Sequence, residues 1–198
     1  MSKYGAKGVR WAPFAEENAE PDGALPKYQG SVSLGHLMQV TDNPTMNEAK
    51  GYGDNRLTRH VVKFKECPVT VGVNEFSHTV AASLFGSTLV TAEGESKGQV
   101  HFNEKDQPPY GGLAFFYSEL LDGGVVKHTG VFYPKLKAAI TGQTYDTNGE
   151  NLTLGSESAN FTAAACNTGD WKILSDYFDT EEEAEAWILA KLPETATS

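Results

Sequence analysis

Histidine and cysteine are the residues that would hold a metal or run nucleophilic chemistry in this chain, and both are scattered. His36, His60, His78, His101 and His128 stand apart, none with a second His, Cys or Glu at helical metal spacing. A zinc site written locally needs its ligands within a few residues of one another. One assembled from residues distant in sequence stays open. His36 falls in phase with apolar neighbours and reads as a buried, hydrogen-bonded imidazole. Cys67 and Cys166 are far apart with no C-x-x-C spacing, which predicts core thiols rather than a disulfide or redox pair. There is no G-x-S-x-G elbow, Walker loop or dinucleotide fingerprint. Gly51-Tyr52-Gly53-Asp54-Asn55 has close glycines, but no phosphate-binding helix follows. Asp146-Thr147-Asn148-Gly149-Glu150-Asn151 resembles part of a calcium loop, lacks the carboxylate ladder and closing Glu, and reads as an Asx-rich turn. Asn151-Leu152-Thr153 and Asn160-Phe161-Thr162 match the glycosylation acceptor pattern, which carries no meaning without a secretory route. The expectation is a protein that is not an enzyme and has no metal or cofactor.

The charge narrows the partners. Sixteen Lys and Arg against 26 Asp and Glu leave a net charge of −10. Gripping nucleic acid through its phosphates needs clustered cations, so DNA binding is disfavoured. The opening Met1-Ser2-Lys3-Tyr4-Gly5-Ala6-Lys7-Gly8 has no apolar run behind its basic residues, and no stretch approaches the roughly 18 apolar residues of a membrane span. The chain is therefore expected to be made and kept in the cytoplasm, with no membrane partner. Its 198 residues, 39% hydrophobic and 11% aromatic, suffice for a real core. Frequent glycines at turn-like positions favour many short strands over long helices.

The elements that must position any site follow from periodicity. Residues 1–30 mix Gly, Pro, acids and the aromatics Tyr4, Trp11 and Phe14 without sustained alternation, and read as an arm that docks on a neighbour or on its own domain. From Ser31 to Thr41 the chain alternates. Val32, Leu34, Met38 and Val40 point one way, Ser31, Ser33, Gly35, Gln39 and Thr41 the other, and Leu37 is a misfit. A second strand starts near Leu57. The segment 42–55 between them exceeds a tight hairpin turn and reads as a functional loop. Val62 and Phe64 share one parity and Cys67, Val69, Val71 and Val73 the other, so a bulge or bend is predicted at Glu66-Cys67-Pro68.

A helix follows, capped by Asn74 or Ser77, striped with Phe76, Val80, Ala81, Leu84 and Phe85, and ended by Gly86. Residues 91–107 read as strand and loop. A hairpin is predicted over 110–140 about Asp122-Gly123-Gly124, then a strand pair over 150–175 joined by Asn167-Thr168-Gly169-Asp170. The small residues from Ala159 to Cys166 imply close packing. Thr180 and Glu183 form a capping box for a last helix with an apolar face of Ala184, Trp187, Ile188 and Leu192, stopped by Pro193. Three parts result: the arm 1–30, a mainly β domain over 31–178, and a C-terminal helix or arm over 179–198.

In succession these segments resemble the major tail proteins of long-tailed, siphovirus-type bacteriophages of Gram-positive hosts. The opening Gly5-Ala6-Lys7-Gly8-Val9-Arg10-Trp11-Ala12-Pro13 is similar to that family's lead. Tyr52-Gly53-Asp54-Asn55 stands in its long loop, and His60 to Phe76 with Leu84-Phe85-Gly86 matches its strand and short helix. Pro109-Tyr110-Gly111-Gly112-Leu113-Ala114-Phe115, Asp122-Gly123-Gly124, the return strand from His128 to Leu136, and Gly169-Asp170-Trp171 follow in order. The C-terminal helix after Asp179 departs from the pattern.

The resemblance implies a β-sandwich-like tail tube fold, mainly β with one or two short helices, whose sheet joins a β-barrel in a hexameric ring. It also implies a self-assembling structural protein of the virion tail, built in the host bacterial cytoplasm. Rings stack into a tube around a tape measure protein, between tail terminator and distal tail proteins, and DNA passes through without binding. On this reading Asp42, Asn43, Pro44, Met46, Tyr52, Asp54 and Asn55 stack rings. Ser31, Ser33, Gln39 and Thr41 face the lumen, and Tyr4, Trp11, Phe14 and Trp187 make arm contacts. Two alternatives stand beside it: a carbohydrate-binding β-sandwich using Trp11, Tyr52, Tyr110, Tyr117 and Tyr133 as stacking faces, and a related secretion-system tube protein.

Overall fold

Runs that alternate between apolar and polar residues bury one face each, and in this chain they do so against one another in a single sheet. The computed structural model describes residues 2–54, 56–90, 99–139 and 156–194, with the side chains of Gly53 and Leu57 set aside. The strands are β1 (Ser2–Pro13), β2 (Val32–Ser33), β3 (Leu37–Asp42), β4 (Thr45–Gly53), β5 (Arg56–Val73), β6 (Thr88–Val90), β7 (Gln99–His101), β8 (Tyr110–Leu120), β9 (Val126–Ala139), β10 (Glu157–Ala163) and β11 (Ile173–Leu174). The helices are α1 (His78–Phe85) and α2 (Glu181–Lys191). The fold is mainly β with two short helices.

Nine strands share one sheet in the order β2-β1-β8-β9-β10-β5-β3, with β11 added to β9 and β4 to β5. The pairs are antiparallel throughout. β2 and β3 lie at opposite ends of that order, yet only Leu34, Gly35 and His36 separate them in sequence. So short a link forces the sheet to curl until its ends meet, and the Leu34 amide donates to the Val9 carbonyl of β1 at 3.1 Å. β6 and β7 form a separate two-stranded piece.

The curl encloses the main core: Val9, Trp11, Leu34, Val69, Val71, Val73, Leu113, Val131, Tyr133, Leu136 and Phe161. α1 follows Val73 and closes that end of the curl with Val80 and Leu84. Its cap is Ser77, whose hydroxyl accepts from the Val80 amide, and Gly86 ends it at φ 68°. Ala159 and Ala163 are fully buried beside Phe161, the close packing that their small size implies.

A second core lies outside the curl, where α2 covers β1, β8 and β9 with Ala184, Ile188 and Leu192 on Ala12, Ala114, Phe116 and Phe132. Burying Ile188 and Leu192 is worth about 1.5–3 kcal/mol each. The seat is cut to fit. A Cβ on Gly130 would come within 2.5 Å of Trp187, and one on Gly112 within 2.9 Å of Leu192. The Thr180–Glu183 capping box forms as the sequence predicts.

Several expectations are corrected. Residues 2–13 are no free arm: they form β1, which pairs with β8 from Ser2 to Pro13 and with β2 at Arg10 and Trp11, and Trp11 is fully buried. Phe14 packs against Tyr28 and Tyr110 of its own chain. The C-terminal helix is likewise no free arm, because α2 and its Trp187 are seated on the sheet. Ser31–Thr41 is two strands at opposite ends of the sheet. A bulge between Leu37 and Gln39 breaks the predicted phase at two residues, so Leu37 packs on the core and Met38 is 64% exposed. Val32, Leu34 and Val40 pack inward and Gln39 and Thr41 point outward as predicted. His36 is exposed rather than buried.

The phase change in β5 is a bulge at Lys65, one residue earlier than predicted, since Thr45 faces Glu66 while Met46 faces Phe64. Pro68 marks the break, where the partner of β5 passes from β3 to β4. β10 and β11 do not pair with each other; both join β9. Asn55, residues 91–98 of the predicted strand and loop, and the segment from Ile140 to Gly155 with its Asx-rich turn and the Asn151 acceptor lie outside the described residues.

Candidate assembly surfaces

The segment expected to be a long loop is most of one strand of a ribbon. β4 pairs with the first half of β5 from Thr45↔Glu66 to Gly53↔Arg56, while the second half of β5 belongs to the curled sheet. Nine extended residues reach about 30 Å. Every described side chain of β4 after Thr45 is exposed except Gly51, including Met46 at 47% and Tyr52 at 71%, and across the ribbon Val61 and Val62 are half exposed. Asp54 makes the tip at φ 49°, a left-handed conformation that Asp tolerates better than most residues. Thr58 donates from Oγ1 to the Gly51 carbonyl at 3.1 Å beside a second bulge.

The ribbon is anchored at its root. Phe64 stacks on Trp171 with ring centroids 4.7 Å apart and planes 10° from parallel. Below it, Asp42 accepts from the Tyr133 hydroxyl at 2.6 Å and from Lys172 Nζ. Burial alone pushes the Asp42 carboxyl up, but the hydrogen bonds from Lys172 and Tyr133 outweigh it and hold the group below its ordinary range. Burial, then the Asp42 carboxylate, push the Tyr133 phenol up. The root therefore keeps a charged hydrogen-bonded clamp at neutral pH.

Of the ring-stacking residues expected from the sequence, Met46 and Tyr52 project from the ribbon and Asp54 sits at its tip. Asn43 and Pro44 form its exposed hinge, and Asp42 is spent in the root clamp. Of the lumen residues, Gln39 and Thr41 lie side by side on the outer face of the curl, in register with Gly72 and Thr70. β10 continues that face with Ser158, Asn160 and exposed Thr162, and Thr70 donates to Asn160 at 2.8 Å. The result is a polar patch of Gln, Thr, Ser and Asn that carries no charge over three strands. Ser31 does not belong to it. It is 5% exposed and bonded to the Leu192 carbonyl and Arg10. Ser33 is exposed on β2, at the other end of the sheet.

Tyr4 is half exposed near the free end of β1, the one proposed arm contact that remains open to a neighbour. The five aromatics of the carbohydrate alternative do not share a face: Trp11 and Tyr133 are buried in the core while Tyr52 is on the ribbon. Among the described residues no cluster of three or more His, Cys, Asp or Glu could hold a metal ion. Phe64, Trp171 and Lys172 escaped the sequence reading. The parity shared by Val62 and Phe64 hinted that Phe64 was special, but nothing local linked it to Trp171, over a hundred residues away.

No family model matches the chain, and no curated protein matches it.

Proposed function

We propose that this protein is a structural subunit that assembles with copies of itself, as a tail tube protein does: rings of subunits, stacked into a tube. The observation that carries this reading is the β4–β5 ribbon. A two-stranded hairpin is marginal by itself in water, and this one spends its length away from the core with apolar Met46, Tyr52, Val61 and Val62 exposed. Such a ribbon gains stability only against a partner. In a stacked ring the partner is the next subunit, and the ribbon reaches it.

The uncharged patch on β3, β5 and β10 supports the same reading. In a tube it lines the wet lumen, where uncharged polar groups let DNA slide past, and Lys137, which flanks Thr162 on β9, lies over the Tyr110 ring. Tape measure, terminator and distal tail proteins are then its further partners in the virion tail. Negative-stain electron microscopy of the purified chain at high and low concentration tests this. Rings or hollow tubes are expected. A uniform monomer at every concentration counts against the reading. Deleting residues 43–54 removes the ribbon strand and is expected to leave a folded subunit that forms no tubes. Long tubes from that variant would remove the ribbon from the assembly mechanism.

A further inference from the structure

The ribbon has two faces, and they differ in charge. Cross-strand partners share a face, so Met46 with Phe64, Glu48 with Val62, and Lys50 with His60 make one side. That side neutralises itself. Glu48 lies 3.2 Å from Lys50 Nζ and 3.6 Å from His60 Nε2, and Phe64 is spent on Trp171 at the root. The other side pairs Asn47 with Lys63, Ala49 with Val61, and Gly51 with Arg59. Between the Lys65 bulge and the tip this side carries no carboxylate. Two cations flank an apolar residue, and the strand opposite presents only Asn, Ala and Gly.

Those small residues leave the backbone of β4 open to close approach. A Cβ added at Gly51 would meet only the Arg59 Cβ at 3.5 Å. The face is thus a flat strip with cations at Arg59 and Lys63 and an apolar centre at Val61. Its chain is otherwise acidic. Residues 45–66 hold five Lys and Arg against three Asp and Glu, a net of +2, which leaves −12 on the rest of the protein.

Resting on the self-assembly reading above, we infer that the Arg59–Val61–Lys63 face is the docking face of the ribbon, and that its occupant is the acidic body of a second copy of this chain. The charge segregation favours that occupant. Bodies at −12 repel one another, and a +2 ribbon inserted between them converts repulsion into a directed contact. The opposite face, with Met46, Tyr52 and Val62 exposed beside the self-paired Glu48, meets its neighbour through apolar contact rather than through charge.

The test compares two single charge reversals in the full-length protein: Lys63→Glu on the docking face, and Lys50→Glu on the other face. Assembly is followed by sedimentation and electron microscopy, and folding by thermal unfolding. Like charges brought together at an interface cost several kcal/mol, so the docking-face variant is expected to raise the concentration needed for assembly at least tenfold, with an unchanged unfolding midpoint. The other variant is expected to assemble within about threefold of the wild type. Salt raised from about 0.1 M to about 1 M, which shortens screening from about 10 Å to 3 Å, is expected to weaken wild-type assembly. Equal losses in both variants, or normal assembly by the docking-face variant, would overturn the face assignment while leaving self-assembly standing. Wild-type protein that never assembles overturns both.

Discussion

Among the described residues, two long antiparallel hairpins have opposite character. β8–β9 is buried on both faces: one side joins the main core through Leu113, Phe115, Val131 and Tyr133, and the other lies under α2 through Ala114, Phe116 and Phe132. β4–β5 is exposed on both faces along its outer length. Backbone pairing is the same in the two. What differs is what the side chains meet, so the first hairpin stabilises the subunit and the second is free to act on a neighbour. Their turns match these roles. β8–β9 closes through Gly123 and Gly124, both at positive φ, where glycine adopts the conformation without strain. The ribbon closes through Asp54 in the left-handed region.

This contrast is sharpest where substitutions should hurt. Trp11→Ala empties the centre of the curl, where the indole packs 5.6 Å from Phe161. It is expected to cost about 3–5 kcal/mol, measured by urea unfolding, and to leave little folded protein. A smaller loss would mean that the core is more plastic than its packing implies.

Asp42→Asn, at the joint between the two hairpin regions, should cost about 1–3 kcal/mol by unpairing Lys172 and weakening the Tyr133 bond. It also carries a pH signature. The folded carboxyl is held below its ordinary value, so its contribution is complete above the unfolded pKa near about 4 and is lost as the pH falls through the folded value. Unfolding curves at neutral and acid pH should converge for wild type and Asp42→Asn at the acid end. Parallel curves would remove the clamp as an electrostatic device.

Thr180→Ala removes the cap of α2, which accepts from the Glu183 amide at 3.3 Å. About 1 kcal/mol is expected, read as a small fall in the unfolding midpoint. Tyr52→Ala on the ribbon should change stability by less than about 0.5 kcal/mol yet reduce assembly. A large stability loss there would mean that the ribbon is part of the core after all.

Much of this was legible in the chain itself. The cap and stripe of α1, the capping box of α2, the β8–β9 hairpin with its double-glycine turn, and the presence of a bulge in β5 all rest on contacts between residues close in sequence. Such contacts leave a periodic trace. The errors share a cause too. β1 looked irregular because bulges near Tyr4, Lys7 and Arg10 break its alternation and Gly8 lies in the left-handed region. From Val9 onward β1 is covered on both faces, and such a stretch shows no clean period of two. Residues 42–55 lacked an apolar face, which is the mark of a loop and equally of a ribbon with nothing to bury.

Composition, parity and capping residues therefore determined the class of the fold and the ends of its helices, because those depend on interactions within a few residues. Only the tertiary structure decided that Ser31 is interior, that Asn160 and Thr162 of β10 extend the polar face of Gln39 and Thr41, that Trp171 and Lys172 root the ribbon, and that Arg59 and Lys63 face Gly51 and Asn47 across it. Those facts depend on register, on bulges that shift parity by one, and on closure of the curl through Leu34–His36. Each is set by long-range pairing, where shifting by one residue moves every following side chain to the other face.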